Sequence, residues 1–552
     1  MSPDEAEEPI APRWPRGIAL LLALGAALRV WQYAADTSFW FDELSIARNL
    51  RERSLSDLLL HPLGYDQMAP VGFLGLEKIT TFLLGDSDLA LRFPLFLAGL
   101  FALLLFFRTS ARVLDRGAVP IAVALFAIAI PFIRYSTELK QYGLDVAATL
   151  LLTNLALDLR AGPTPRRCVA AGLAGLVAVV FSQTAVLVLA GLGGALALCL
   201  LLDRDRRALA PVLLAVLLWA AAAGTGLLIA LHHSRPETRA FMHTFWASRK
   251  GFLPLPPSFG GTALWLWSLF EQFFGDISQL QYPLSFLFTA LALLGFVVLY
   301  RQRRDRALIL LGPVAATLLA ALAQQFPFRF RLVLFLLPTV LLGLAAAIGW
   351  LGVQSARLRR PLGAAVVAAL MLGPLFAIAR TRPPYVVEAF KPVLAHVRDH
   401  YQRGDAVYVY ANAFQAVDRY GPLYGLPPGS WAAGACDERE VRPFLADVDR
   451  FRGKARLWVI ASSVPEFRHP RNEIARYLRT IGVARDSIAV PSPVSKLAPV
   501  GADLYDLSDP ERLLAATVSS FAAAPFPDPQ RPLCRDWIRP TASGRTAEFS
   551  DR

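Results

Sequence analysis

Eleven long apolar runs decide what this chain can become. They fall near 17–34, 89–107, 117–133, 142–159, 166–182, 184–202, 208–231, 283–300, 307–323, 332–351 and 361–379. At about 1.5 Å of rise per residue, each can cross roughly 30 Å of hydrocarbon as a helix, the shorter ones only just. Hydrocarbon offers no partner to backbone N–H and C=O groups, so runs of this kind satisfy themselves by coiling. The chain is also 55% hydrophobic over 552 residues, with a mean hydropathy of +0.44, values foreign to soluble proteins of this size. The expected fold is a mainly α, polytopic membrane protein.

A formal charge of +13 invites nucleic acid as a partner. The arginines argue otherwise, because they cluster between the apolar runs, at Arg13/Arg16, Arg108/Arg112/Arg116, Arg160/Arg166/Arg167, Arg204/Arg206/Arg207, Arg301/Arg303/Arg304/Arg306 and Arg357/Arg359/Arg360. Such clusters mark cytoplasmic ends, so the charge reports topology and the partner is the lipid bilayer. With every cluster inside, eleven crossings put the N-terminus in the cytoplasm and the C-terminus outside. The first run lacks a small-residue cleavage site and is expected to remain as a span. By the same parity, 70–84, which carries Glu77 and Lys78, cannot also cross. It reads as an amphipathic helix on the outer surface, as does 44–60, where Arg48, Arg51, Glu52 and Arg53 interrupt the apolar positions. The alternative, a twelfth span, would invert the positive-inside pattern everywhere after it.

The polar residues that topology leaves unexplained gather on the external side. Ser38-Phe39-Trp40-Phe41-Asp42-Glu43 follows the first span and sets two carboxylates among interfacial aromatics. An acid here can complement a helix dipole or cap the helix, with Asp42 as N-cap. It can equally serve as the general base that a hydroxyl nucleophile needs. His61-Pro62-Leu63-Gly64-Tyr65-Asp66-Gln67 is a turn offering His61, Asp66 and Gln67 to a sugar or a metal. Arg134-Tyr135-Ser136-Thr137-Glu138-Leu139-Lys140-Gln141-Tyr142 brings Arg134, Tyr135, Glu138, Lys140 and Tyr142 to a span junction, where ionisable groups are costly unless paired or functional. Phe328-Arg329-Phe330-Arg331 opens the tenth run. Arg329 and Arg331 oppose the positive-inside trend, and they would suit either outer-leaflet headgroups or the phosphate of an anionic ligand. The long external loop 232–282 ends in an aromatic stretch, 264–274, expected to be a third interfacial helix.

These residues resemble bacterial members of the GT-C superfamily, specifically the protein O-mannosyltransferase and ArnT-like enzymes of glycosyltransferase family 39 and its relatives. The matching pieces are Trp40-Phe41-Asp42-Glu43, His61-Pro62 with Pro70, Gly85-Asp86-x-Asp88-x-x-x-Arg92, Tyr135-Ser136-x-Glu138-x-Lys140-x-Tyr142, and Phe328-x-Phe330-Arg331 before Leu336-Leu337-Pro338. The resemblance implies an inverting transfer from a polyprenyl-phosphate sugar to a hydroxyl of a glycan, lipid or protein acceptor, on the outer face of a bacterial inner membrane. It places the catalytic carboxylate at Asp42 with Glu43 beside it, and sets Arg331 toward the lipid phosphate. Some members use a divalent cation, Mg2+ or Mn2+. Two positions depart from the pattern: Lys140 stands where an Arg is usual, and Gln183 where many relatives carry a His. A transporter or flippase of lipid-linked sugars is the alternative, though it would place its charges near the midplane and show inverted repeats.

Four units are expected: a disordered acidic N-terminus over 1–16, a transmembrane domain over 17–380, a small extracytoplasmic α/β domain over 386–510, and a Pro-rich tail over 511–552. In the third unit, 391–403 and 472–480 read as helices, and 405–410 and 456–460 as buried strands. Cys436 and Cys534 could pair if this part is exported.

Overall fold

The computed structural model describes residues 16–203, 206–277, 283–434, 440–463, 468–494 and 498–523. The pairing considered for Cys436 and Cys534, and nearly all of the acidic N-terminus, lie outside the described residues.

A helix stands in place of every expected span. In chain order these are α1 (Arg16–Ala34), then, beyond three short helices of the intervening segment, α2 (Phe41–Glu52), α3 (Leu55–Leu60) and α4 (Val71–Leu84), the long α5 (Asp88–Val113). After it come α6 (Val119–Ile128), α7 (Ile130–Arg134), α8 (Tyr142–Ala161), α9 (Pro165–Phe181), α10 (Ala185–Asp203) and α11 (Arg206–His232). The long loop after α11 carries α12 (Pro236–Ala247) and α13 (Phe259–Gln272), and the bundle closes with α14 (Leu284–Gln302), α15 (Arg304–Leu322), α16 (Leu337–Leu358) and α17 (Arg360–Arg380). Among the described residues, nine helices are long and apolar enough to cross a membrane, so this is a multi-pass membrane protein.

The two remaining expected spans differ from the rest for separate reasons. The α9 helix is 17 residues long. The run 117–133 is broken: α6 stops at Ile128 and α7 restarts after Ala129. Pro131 lacks the N–H that would bond the carbonyl of Ala127, and the buried Arg29 of α1 donates to that carbonyl instead, at 3.5 Å. Nor is 44–60 one helix, because the chain turns at Ser54, whose hydroxyl accepts from the Asp57 N–H and starts α3 afresh. At 14 residues, α4 is not among the spanning helices.

Small residues let the helices approach closely. A Cβ on Gly295 of α14 would sit 1.6 Å from the carbonyl oxygen of Gly343 in α16, and Gly191 of α10 meets Gly312 of α15 in the same way.

After α17 the chain builds an α/β unit: α18 (Phe390–His400), β1 (Ala406–Val409), α19 (Phe414–Tyr420), β2 (Ala432–Ala433), α20 (Arg442–Asp449), β3 (Leu457–Ser463), α21 (Arg468–Ile481), β4 (Val483–Val490) and β5 (Ala498–Asp506). The sheet order is β2-β1-β3-β5-β4, with β1 parallel to β2 and β3, and β5 antiparallel to β3 and β4. One face packs α20 and α21 through Phe444, Leu445, Val448, Ile474 and Leu478 against Tyr408, Leu457 and Val459. Ala516, Val518 and Phe521 join this layer, so the chain stays packed beyond residue 510. The other face packs Phe390, Val393, Leu394 and Val397 of α18 over Val407, Trp458, Ile460 and Leu504. That cluster runs on without a gap into Phe39, Leu44, Ile46 and Leu50 of the segment between α1 and α5. The α/β unit is therefore welded to the segment that carries Asp42.

Candidate active site

The start of α2 determines where Asp42 points. Trp40, extended at φ −93° and ψ 171°, is the N-cap, and Glu43 at the third helical position reaches back to accept the Trp40 N–H at 3.2 Å. Capping thus falls to Glu43, and Asp42 does not act as N-cap. The Glu43 carboxylate is filled from all sides. Arg92 of α5 meets it at 2.9 and 3.0 Å through one nitrogen and at 3.2 Å through another, and the Leu139 N–H donates at 2.8 Å. Both side chains are at most 5% exposed, and the Arg92 guanidinium lies 4.6 Å from the Phe39 ring. A buried pair with every lone pair occupied is a rigid post. It fixes the turn from Thr37 to Glu43 against α5 and against the loop before α8.

Asp42, the residue before this post, faces a different set of groups. Arg331 donates to its Oδ2, and the Lys140 ammonium lies 4.0 Å away. Lys140 in turn donates to the Gln67 side-chain oxygen. Arg331 is sandwiched between Trp40 and Tyr142, 5.0 and 5.6 Å from their ring centres. Its presentation depends on Gln272 at the end of α13. The Gln272 amide oxygen accepts the Phe330 N–H at 2.7 Å and holds Phe330 at a positive φ of 48°, costly for a bulky residue and typical of functional sites. Burial alone would raise the pKa of Asp42. The charges of Arg331 and Lys140, with hydrogen bonds from Gln67 and Arg331, outweigh it and hold the carboxyl below its ordinary range. Burial likewise pushes the Lys140 ammonium down, against the pull of Asp42.

Most of the other residues singled out by sequence converge here. Arg134 pairs with Glu138 at 2.9 Å and stacks on Tyr135, which meets Tyr142 edge-on at 5.5 Å. Formally, the carboxylates Asp42, Glu43 and Glu138 face the cations Arg92, Arg134, Lys140 and Arg331, an excess of one positive charge. Asp66 stands to one side: its Oδ1 accepts from Thr238 of α12 at 3.3 Å, and its other oxygen is buried without a partner. Two residues are not brought in. His61 is 65% exposed and pairs back along its own helix with Asp57 at 3.1 Å. Arg329 turns toward α13, with its guanidinium 3.4 Å from the Ser268 carbonyl and over the Phe330 ring.

Sequence reasoning on single residues missed the groups behind Asp42. Arg92 lies in a quoted motif, but only the fold shows that it holds Glu43. Glu388 gave no signal at all. Its Oε2 accepts the Phe41 N–H at 2.8 Å and its Oε1 accepts from the Ser462 hydroxyl at the end of β3. Around it, Lys391 reaches Asp36 at 2.8 Å and Asp88 at 3.1 Å, and Arg419 reaches Asp88 at 2.9 Å. The Tyr420 hydroxyl joins Asp88 at 2.6 Å to the Phe39 N–H at 2.7 Å.

A divalent cation, Mg2+ or Mn2+, does not suit the donors at Asp42. Two positive side chains already flank that carboxylate, and Glu43 has no free lone pair to offer. Among the described residues, the group of three His or carboxylate side chains with metal-ligand spacing lies elsewhere, at His396, His400 and Asp486. What the arrangement can do is hold an anionic group at Arg331 and Lys140 beside an ionised carboxylate.

No protein-family model matches the chain, and no curated protein does. Solved structures similar to it include the Archaeoglobus fulgidus oligosaccharyltransferase in complex with Zn and sulfate, at 12% identity and a TM-score of 0.48 over 88% of this chain and 73% of that one. Another is the archaeal oligosaccharyltransferase AglB from the same organism with an inhibitory peptide and a dolichol-phosphate, at 12% identity and a TM-score of 0.45, covering 88% and 74%. A third is ArnT from Cupriavidus metallidurans bound to undecaprenyl phosphate, to which this chain is similar at 13% identity and a TM-score of 0.46, covering 88% and 97%.

Proposed function

We propose that this protein is a membrane glycosyltransferase that moves a sugar from a polyprenyl-phosphate donor to an acceptor hydroxyl at the extracytoplasmic face, with inversion and with Asp42 as general base. The observation that carries the proposal is the contact between Asp42 and Arg331, residues 289 apart in sequence, in a cluster with one surplus positive charge. A base alone or a cation alone has many uses. A carboxylate sharing a guanidinium at a membrane surface suits a reaction in which a phosphate leaves as a hydroxyl attacks.

Chemically, the acceptor oxygen bonds to the anomeric carbon as the bond from that carbon to the phosphate oxygen breaks. The hydroxyl proton goes to Asp42. The charge that develops on polyprenyl phosphate is met by Arg331 and Lys140, fixed in advance by the Trp40/Tyr142 sandwich and by Gln67. Donor and carboxylate compete for Arg331. As the guanidinium turns to the donor phosphate, the influence that depresses Asp42 weakens and its basicity rises. Asp42 thus becomes a competent base only once the donor phosphate has taken up Arg331. For the isoprenoid chain we assign the apolar surface beside the α6–α7 break, lined by Leu125, Ile128, Ile130, Phe288, Leu341 and Pro374. The N-terminus inside and the α/β unit outside complete the reading, since Asp42, Arg331 and that unit then share one face.

The test is release of polyprenyl phosphate by purified protein offered a panel of polyprenyl-phosphate sugars, with and without acceptor alcohols. Asp42→Asn is expected to keep donor binding within about threefold and to lose at least about a hundredfold in release, the size of a general-base contribution. Release at the wild-type rate rejects the assignment.

A further inference from the structure

The α18 helix carries two imidazoles that the chemistry above does not use. His396 and His400, one turn apart, lie on the same side of the helix. Asp486 of β4 faces them. Its position follows from an irregularity in the sheet: pairing passes from Ala484↔Tyr505 to Asp486↔Leu504, so Arg485 is an extra residue and the side chains after it change face. Without that bulge Asp486 would point away from α18. With it, the three side chains offer ligand atoms that all lie within 4.8 Å of one another.

The details favour ligation over a chance meeting. Asp486 Oδ2 is 2.8 Å from His396 Nε2, and its Oδ1 accepts the Ser487 N–H at 2.8 Å, so the carboxylate is held in orientation. His400 Nδ1 lies 2.9 Å from the His396 carbonyl oxygen. A nitrogen facing a carbonyl is the protonated one, which leaves the His400 Nε2 lone pair open, the tautomer a metal ligand requires. The imidazoles stack with centres 4.2 Å apart, and Trp458 meets His396 edge-on at 6.1 Å. The nearby Arg456 is taken up by Asp405 at 2.7 Å and by the His400 carbonyl, so it does not compete for Asp486.

We propose that His396, His400 and Asp486 form a site for a zinc-class divalent cation, with water as the remaining ligand. Two imidazoles and one carboxylate are the donor set that zinc takes at about 2.0–2.2 Å, and hard cations such as Mg2+ and Ca2+ prefer all-oxygen sites. The ion pins the C-terminal end of α18 to the edge of the sheet. The opposite end, nine residues or about 14 Å away, bears the Lys391 latch and follows directly on Glu388. The cation therefore braces the helix that supports the Asp42 segment and takes no part in the transfer. The site stands whether or not the assignment of Asp42 does.

The experiment uses full-length protein in detergent, purified without a polyhistidine tag and stripped with a chelator. Zinc chloride is titrated in with the metal bound per chain and the melting temperature as readouts, and Co2+ absorption reports coordination geometry. Wild type is expected to bind one zinc per chain, to melt higher with it, and to give the intense visible bands of tetrahedral cobalt. His400→Ala and Asp486→Asn, both at accessible positions, should each weaken zinc binding by at least about tenfold and abolish the thermal gain. Undiminished zinc binding in these variants overturns the proposal. So does a wild-type protein that binds no zinc, which would leave the His396–Asp486 contact a plain hydrogen bond.

Discussion

Glu388 is where the α/β unit touches the candidate base segment, and its ionisation offers a direct measure of that contact. It is buried, and burial raises its pKa from 4.5 to about 7 despite hydrogen bonds from Ser462 and the Phe41 N–H, with the charge of Asp42 adding to the rise. The folded protein therefore keeps this proton up to about pH 7, whereas the unfolded chain releases it near 4.5. Between those values the native state binds more protons, so stability falls as pH rises and levels off above 7. At 1.36 kcal/mol per pH unit, the interval amounts to about 3 kcal/mol. Glu388→Gln is neutral throughout and can still accept the Phe41 N–H while donating to Ser462. The variant should match wild type near pH 5 and melt several degrees above it at pH 8.5. Melting curves in detergent across pH 5–8.5 provide the measurement. Parallel curves for the two proteins would mean that Glu388 is already ionised when folded, and the reasoning from its burial would fail.

Two further outcomes follow from the geometry. Arg92→Met leaves the Glu43 carboxylate buried without its guanidinium, a loss of about 3–5 kcal/mol. It should appear as a lower melting temperature, with Arg92→Met/Glu43→Gln recovering part of it. Gly295→Ala places a methyl where the Gly343 carbonyl already is, so α14 and α16 must separate. Melting should drop by more than for Gly260→Ala, a glycine with nothing within 4 Å of the added carbon.

The helical bundle could be read from sequence because its cause is local. A run such as 184–202 carries in its own composition the reason to coil in lipid, and α10 (Ala185–Asp203) forms there. Helix ends were equally readable where the punctuation is chemical, as at Ser87 and Thr164, whose hydroxyls each accept a first-turn N–H. The break at Ala129 was less so, because Pro131 could have been carried within a kinked span. What decided it was Arg29, nearly a hundred residues earlier, waiting for the freed carbonyl. The strands β4 and β5 were not anticipated: β4, Val-Ala-Arg-Asp-Ser-Ile-Ala-Val, is an edge strand whose alternation the bulge at Arg485 interrupts.

The candidate site divides along the same line. Sequence by itself placed most of the charged residues at the ends of the apolar runs, because an unpaired charge in hydrocarbon is costly. The family resemblance favoured Asp42 over Glu43, but nothing in the residues themselves said what each of these adjacent acids would touch. Tertiary structure separated them. Glu43 is sealed by Arg92 and two backbone N–H groups and serves as a post, whereas Asp42 looks out at Arg331 and Lys140. The function of a carboxylate depends on which cation reaches it and how much water is left, and both are set by chain segments that meet only once the molecule has folded.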